Sequence, residues 1–121
     1  MKNNEKITQF YKEQLQFGYI ESLTIYRDIE DENELVNNLK ISFFSYPYTL
    51  GDKKLVMDFQ NVKDLKIKDL DGLFKTVLSI TDISSYQMEG INYRIVEDEN
   101  SLFSFECKNF DFSVLDTSFE N

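Results

Sequence analysis

Apolar residues recur with helical spacing only at the start of the chain. At 100° per residue, Ile7, Phe10, Tyr11, Leu15 and Phe17 fall within an arc of about 160°, opposite Lys12, Glu13 and Gln16. This spacing predicts an amphipathic helix over residues 4–17, capped by Asn3 or Asn4 and followed by Gly18 in the left-handed position past its end. Gln14 falls inside the apolar arc, so the stripe is either shallow or meets something polar.

Beyond Gly18 the period changes to two, the mark of strands with one buried face. Leu23 and Ile25 alternate first, and after a charged segment Leu39, Ile41 and Phe43 alternate with Lys40 and Ser42. Pro47 ends that strand or places it at an edge. Leu55, Met57 and Phe59 form the next series, continued after Val62 by Leu65 and Ile67; residues 74–83, with Val77, Leu78, Ile80 and Ile83, read as a further strand. Ile91, Tyr93 and Ile95 then face Phe103, Phe105 and Cys107 as the two arms of a hairpin, joined through the polar run Glu97-Asp98-Glu99-Asn100-Ser101. Asn109 is expected to start a second tight turn into Phe110, Phe112 and Val114, and residues 116–121 read as a tail. Gly51-Asp52, Asp71-Gly72 and Gly90 mark turns. The connections are too short for helical crossovers. The expected fold is therefore α+β: one domain over residues 1–121, with an N-terminal helix packed on a mainly antiparallel sheet of six to eight strands between residues 19 and 115.

Composition removes most chemistry. The 121 residues are 41% hydrophobic, with eleven Phe, enough to bury a core of their own. His is absent and Cys107 is the one cysteine, which excludes His-based triads, His-ligated metals, cysteine-rich zinc sites and disulfide frameworks. Cys107 sits in an alternating stretch and reads as a small buried hydrophobe. Carboxylates are the remaining catalytic candidates, yet no segment has the alternate acids, central glycine and closing glutamate of a calcium loop. The four glycines stand apart and build no phosphate loop. The expectation is no enzyme activity, no metal and no cofactor.

Charge adds a partner class. Thirteen basic against twenty-two acidic residues give a net charge of −9, which disfavours nucleic acid and anionic membrane and favours a basic partner. The acids cluster: residues 28–34 contain Asp28, Glu30, Asp31, Glu32 and Glu34 with no base, and from residue 82 onward nine acids oppose Arg94 and Lys108. Solubility alone is one reading of such clusters. Partner recognition is the other, and its candidates are Glu30, Asp31, Glu32, Glu34, Glu97, Asp98 and Glu99, with Tyr46 and Tyr48 as aromatic anchors beside Pro47. The N-terminus has no apolar run of signal-peptide length, so a cytoplasmic location is expected.

The stretch Lys54-Leu55-Val56-Met57-Asp58-Phe59-Gln60-Asn61-Val62-Lys63-Asp64-Leu65-Lys66-Ile67 comes first. Ile91-Asn92-Tyr93-Arg94-Ile95-Val96-Glu97-Asp98-Glu99 and Phe103-Ser104-Phe105-Glu106-Cys107 follow it. Together they resemble small acidic β-rich immunity proteins of bacterial polymorphic toxin systems, of the contact-dependent growth inhibition type. The resemblance is one of apolar spacing and acidic turns across residues 54–107. It implies a cytoplasmic protein that binds one cognate toxin domain, often a basic nuclease, and blocks its active site or substrate channel; a monomer or weak dimer is expected. An acidic chaperone for a secreted effector is the alternative, although such chaperones usually contain more helix.

Overall fold

In the computed structural model, residues 2–29, 36–68, 70–72, 75–86 and 89–116 are described. Among them α1 (Lys2–Gln14) precedes β1 (Tyr19–Asp28), β2 (Val36–Phe44), β3 (Lys54–Gln60), β4 (Lys63–Ile67), β5 (Leu78–Asp82), β6 (Tyr93–Glu97), β7 (Phe103–Cys107) and β8 (Asn109–Leu115). A short 3-10 turn, Ser84–Tyr86, follows β5. The strands make two antiparallel four-stranded sheets, in the orders β1-β2-β3-β8 and β4-β7-β6-β5. This is the α+β class the pattern predicts, with the single expected sheet divided in two.

The division happens at a corner shared by two neighbouring strand pairs. β3 pairs with β8 up to Gln60 opposite Asn109, and β4 pairs with β7 from Lys63 opposite Glu106, so both chains pass from one sheet to the other at the same level. The bend is taken by Asn61 and Asp64, at φ of 55° and 57°; short polar side chains tolerate this region better than most. Lys108 donates its N–H to the Gln60 carbonyl at 2.9 Å, and Val62 donates to Asn37 at 2.7 Å. The tight turn expected at Asn109 is therefore absent: β7 runs on into β8 through the corner, because Phe110 must follow Phe59 into the first sheet.

Alternation decides what lies between the sheets. Leu39, Ile41, Phe43, Leu55, Met57, Phe59 and Phe110 from one sheet meet Leu78, Ile80, Tyr93, Ile95, Phe103, Phe105 and Cys107 from the other, all buried. Phe59 meets Phe105 with ring centroids 4.8 Å apart, and Tyr93 meets Phe110 at 5.0 Å, both edge-to-face across the two sheets. Each such pair contributes about 0.5–1.5 kcal/mol beyond the area it buries. Phe112 is half-buried and packs on Phe10 at 5.8 Å. Burial pushes the Cys107 thiol up to about 12, so it stays protonated and unreactive at neutral pH.

Helix α1 bridges the β8 edge of one sheet and the β5 edge of the other. Phe10 is buried, Lys6 pairs with Asp111 of β8 at 2.9 Å, and its ammonium lies 4.7 Å from the Phe110 ring centroid. On the other side Gln14 and Tyr11 meet β5. The Gln14 amide donates to the Leu78 carbonyl and accepts from the Leu78 N–H, both at 3.0 Å. The Tyr11 hydroxyl accepts from Ile80 N–H at 2.9 Å and donates to Ile80 carbonyl at 3.2 Å. The polar residue in the apolar stripe thus meets a strand edge.

The helix begins and ends earlier than expected. Asn3 and Asn4 lie inside it, and it stops at Gln14, where Gln16 and Phe17 donate to the carbonyls of Glu13 and Gln14 and tighten the last turn. Gly18 is not left-handed. A Cβ there would lie 3.1 Å from the Lys75 side chain, which would have to shift by a few tenths of an ångström to admit it.

Candidate partner-binding surface

Tyr46 and Tyr48 lie just past the end of β2, whose outward-facing Phe44 and whose neighbour Tyr19 on β1 carry them. Tyr46 packs 5.5 Å from the Tyr19 ring, and Tyr48 meets Phe44 edge-to-face at 6.1 Å. The Tyr46–Pro47 peptide is cis. Pro47 follows β2 and so ends the strand rather than marking an edge: β2 has a neighbour on each side. The Ser45 hydroxyl donates to the Gln16 carbonyl, tying this aromatic corner to the end of α1. Tyr46 remains 60% exposed, and Leu50, at the tip of the following turn, 94% exposed.

The corner's own charges are matched. Glu21 accepts from Lys54 Nζ at 2.8 Å and from the Ser42 hydroxyl at 2.9 Å, while Lys54 also lies 5.4 Å from the Tyr48 ring centroid. The Lys54 hydrogen bond is the main reason the Glu21 carboxyl lies below its ordinary value.

The expected acidic run in the β6–β7 turn divides. Asp98 and Glu99 are exposed, but Glu97 is fully buried and cannot present charge to a partner. One carboxylate oxygen accepts from the N–H groups of Val77 at 3.0 Å and Glu99 at 2.9 Å, the other from Asn100 at 2.8 Å and Leu102 at 3.2 Å. Burial alone would push this carboxyl up; the four backbone donors outweigh it and hold it below its ordinary value. Alternation explains the correction, since Glu97 shares its face with Tyr93 and Ile95. It builds the turn and joins it to Val77, the residue just before β5, whose carbonyl also accepts from Asp98 N–H at 2.8 Å.

The tyrosines and the exposed pair Asp98 and Glu99 lie at one end of the molecule. Tyr46 contacts Tyr19, Tyr19 bridges to Lys75, and Asn100 donates to the Lys75 carbonyl at 2.9 Å. Glu30, Asp31, Glu32 and Glu34 lie outside the described residues.

Other exposed residues escape a sequence reading. Ile25 has core parity but is 55% exposed, at the mouth of a cleft of about 420 Å³ lined also by Leu39, Val62 and Leu65. Leu50 reads as a turn residue, and an isolated apolar side chain between Thr49 and Gly51 is the one signal available. The outer face of the second sheet carries Lys63, Lys66 and Arg94 around Glu106, with Arg94 paired to Glu106 at 3.0 Å. That face is the least suited to a basic partner.

A protein-family model described as immunity protein PIM8 matches residues 2–113. The chain belongs to this family. No curated protein and no solved structure matches it. The match spans α1 and nearly all of β8, so the helix that closes the two sheet edges is part of what the family shares. Among the described residues no group of three or more acidic or cysteine side chains is placed to hold a metal ion, and no helix is long and apolar enough to cross a membrane.

Proposed function

We propose that this immunity protein neutralises a basic toxin domain, a nuclease, in the cytoplasm, by binding over its active site and excluding substrate. The family match across residues 2–113 carries the reading. The net charge of −9 supports the basic character of the toxin, because opposite charge speeds encounter and excludes like-charged competitors. Asp98 and Glu99 steer, Tyr46 and Tyr48 anchor, and Glu30, Asp31, Glu32 and Glu34 add to the attraction. Glu97 drops out of the contact set. The protein acts by occupancy and carries out no reaction of its own.

The test is protection of cells that express the toxin domain encoded directly upstream, together with association rates for the purified pair. Reversing Asp98 and Glu99 to Lys should slow association by about tenfold at low salt and by much less at high salt. Glu5→Lys, exposed on α1, is the control for net charge. Equal rates for the double reversal and the control would show that the acidity serves solubility alone.

A further inference from the structure

Three of the four sheet edges lie beside other parts of the chain or are short. α1 flanks β8 and caps β5, and β4 has only five residues. β1, with ten, pairs on one side with β2 and on the other, among the described residues, only through the bridge from Tyr19 to Lys75 and the bond from Thr76 N–H to Gly18 carbonyl. Its backbone direction follows from the register. The Asn37 carbonyl turns toward β3 to meet Val62, so the even-numbered residues of β2 turn toward β1. Asn38, Lys40 and Ser42 stand opposite Tyr26, Thr24 and Ser22. Leu23, Ile25 and Arg27 therefore direct their N–H and C=O groups away from the sheet.

We propose that this open edge receives an extended segment of the toxin as an added strand, cationic at the end that meets Asp98 and Glu99; this rests on the immunity reading above. The charge pattern names the occupant. Asp98 and Glu99 are exposed at the Tyr19 end of β1, where Glu21 is already paired with Lys54, and the whole chain carries a net charge of −9. Ile25, Leu39, Val62 and Leu65, with Arg27, Lys63 and Asp64 also in the lining, offer one cleft to an apolar side chain of the incoming strand. Backbone pairing supplies the contact and the pocket and charges supply the selection. A second copy of this chain is the poorer occupant, because two molecules of charge −9 repel.

The test is residue-resolved amide exchange on the labelled chain, free and saturated with the upstream toxin domain carrying an inactivating substitution. The amides of Leu23, Ile25 and Arg27 should slow by at least about tenfold on binding, while those of Ser22, Thr24 and Tyr26, already in the ladder, should change little. Ile25→Pro removes one outward donor without touching the β1–β2 ladder, and should weaken toxin binding by about tenfold or more at unchanged melting temperature. If Ile25→Pro does not fold, the exchange pattern of the unaltered chain decides. Binding that leaves the three outward amides fast overturns strand addition while the immunity reading stands. Absence of both binding and cell protection overturns the immunity reading itself. Slowing of the same amides with rising concentration of the chain alone, with doubled mass, assigns the edge to a second copy and overturns the toxin as its occupant.

Discussion

The outer edge of β5 and the outer edge of β1 present the same chemistry, alternate N–H and C=O groups that need partners, and the molecule treats them differently. At β5 two side chains of α1 imitate a neighbouring strand: Gln14 meets both backbone groups of Leu78 and Tyr11 both groups of Ile80. At β1 the central outward groups meet no other strand among the described residues. An uncovered edge is an aggregation hazard, usually blunted by charge, bulges or cover. β1 has a bulge between Ile20 and Ser22 and charged residues at both ends, which discourages indiscriminate pairing while leaving Leu23 to Arg27 open. The comparison teaches that closure here is local, made by particular side chains.

The largest expected effect lies behind the closed edge. Glu97→Ala would leave four backbone donors without their acceptor, including Val77 N–H just before β5, and should cost about 4 kcal/mol in urea unfolding. The pH dependence has a definite sign. Because the folded carboxyl lies below its ordinary value of 4.5, its stabilisation is complete above about pH 4.5 and is lost as pH falls through the lower folded value. Stability curves of the unaltered protein and Glu97→Gln should converge in acid. Parallel curves down to pH 2 would mean that the carboxylate is not what holds the turn.

Next comes the cap itself. Gln14→Ala removes both bonds to Leu78 and should cost about 2 kcal/mol, with faster exchange at Leu78 and Ile80 than in the rest of the second sheet. Tyr11→Phe keeps the ring and loses only the hydroxyl bridge to Ile80; about 1 kcal/mol is expected, read from the same unfolding curves. Uniform exchange across β5 and β6 in both variants would show that α1 does not seal that edge in particular.

These residues also show where the sequence is legible. Period two locates Leu39, Ile41, Phe43, Leu55, Met57, Phe59, Phe103 and Phe105 as core because each strand buries one face, a local property. The split into two sheets was hidden, since it depends on Asn61 and Asp64 adopting positive φ, which asparagine and aspartate tolerate without advertising it. Glu97 reads as a loop acid by composition, although it continues the alternation of Tyr93 and Ile95. The alternation is the signal that composition overrode, because a carboxylate can be buried once several backbone N–H groups converge on it. Gln14 marks a polar contact without naming its partner, which is 64 residues away. Of the candidate surface, Tyr46 and Tyr48 are visible as part of an aromatic run that Pro47 interrupts, whereas the open edge of β1 depends on which strands fail to pair with it, and no local pattern encodes that.

The smallest effect on stability belongs to the open edge, and it sharpens the comparison most. Ile25 is a core residue by parity, so a fold that closed over β1 would lose several kcal/mol on Ile25→Lys, as a buried and unpaired charge does. Here Ile25 is more than half exposed at the mouth of a cleft, and a lysine can keep its stem on Leu39 and Leu65 with the ammonium in water. Stability should therefore change by no more than about 0.5 kcal/mol in urea unfolding. Lysine is also a residue that natural edge strands use against added strands, so the variant should remain monomeric and well folded while refusing a partner. A loss above 2 kcal/mol would mean that the two edges are alike after all, with β1 covered in solution by some part of its own chain.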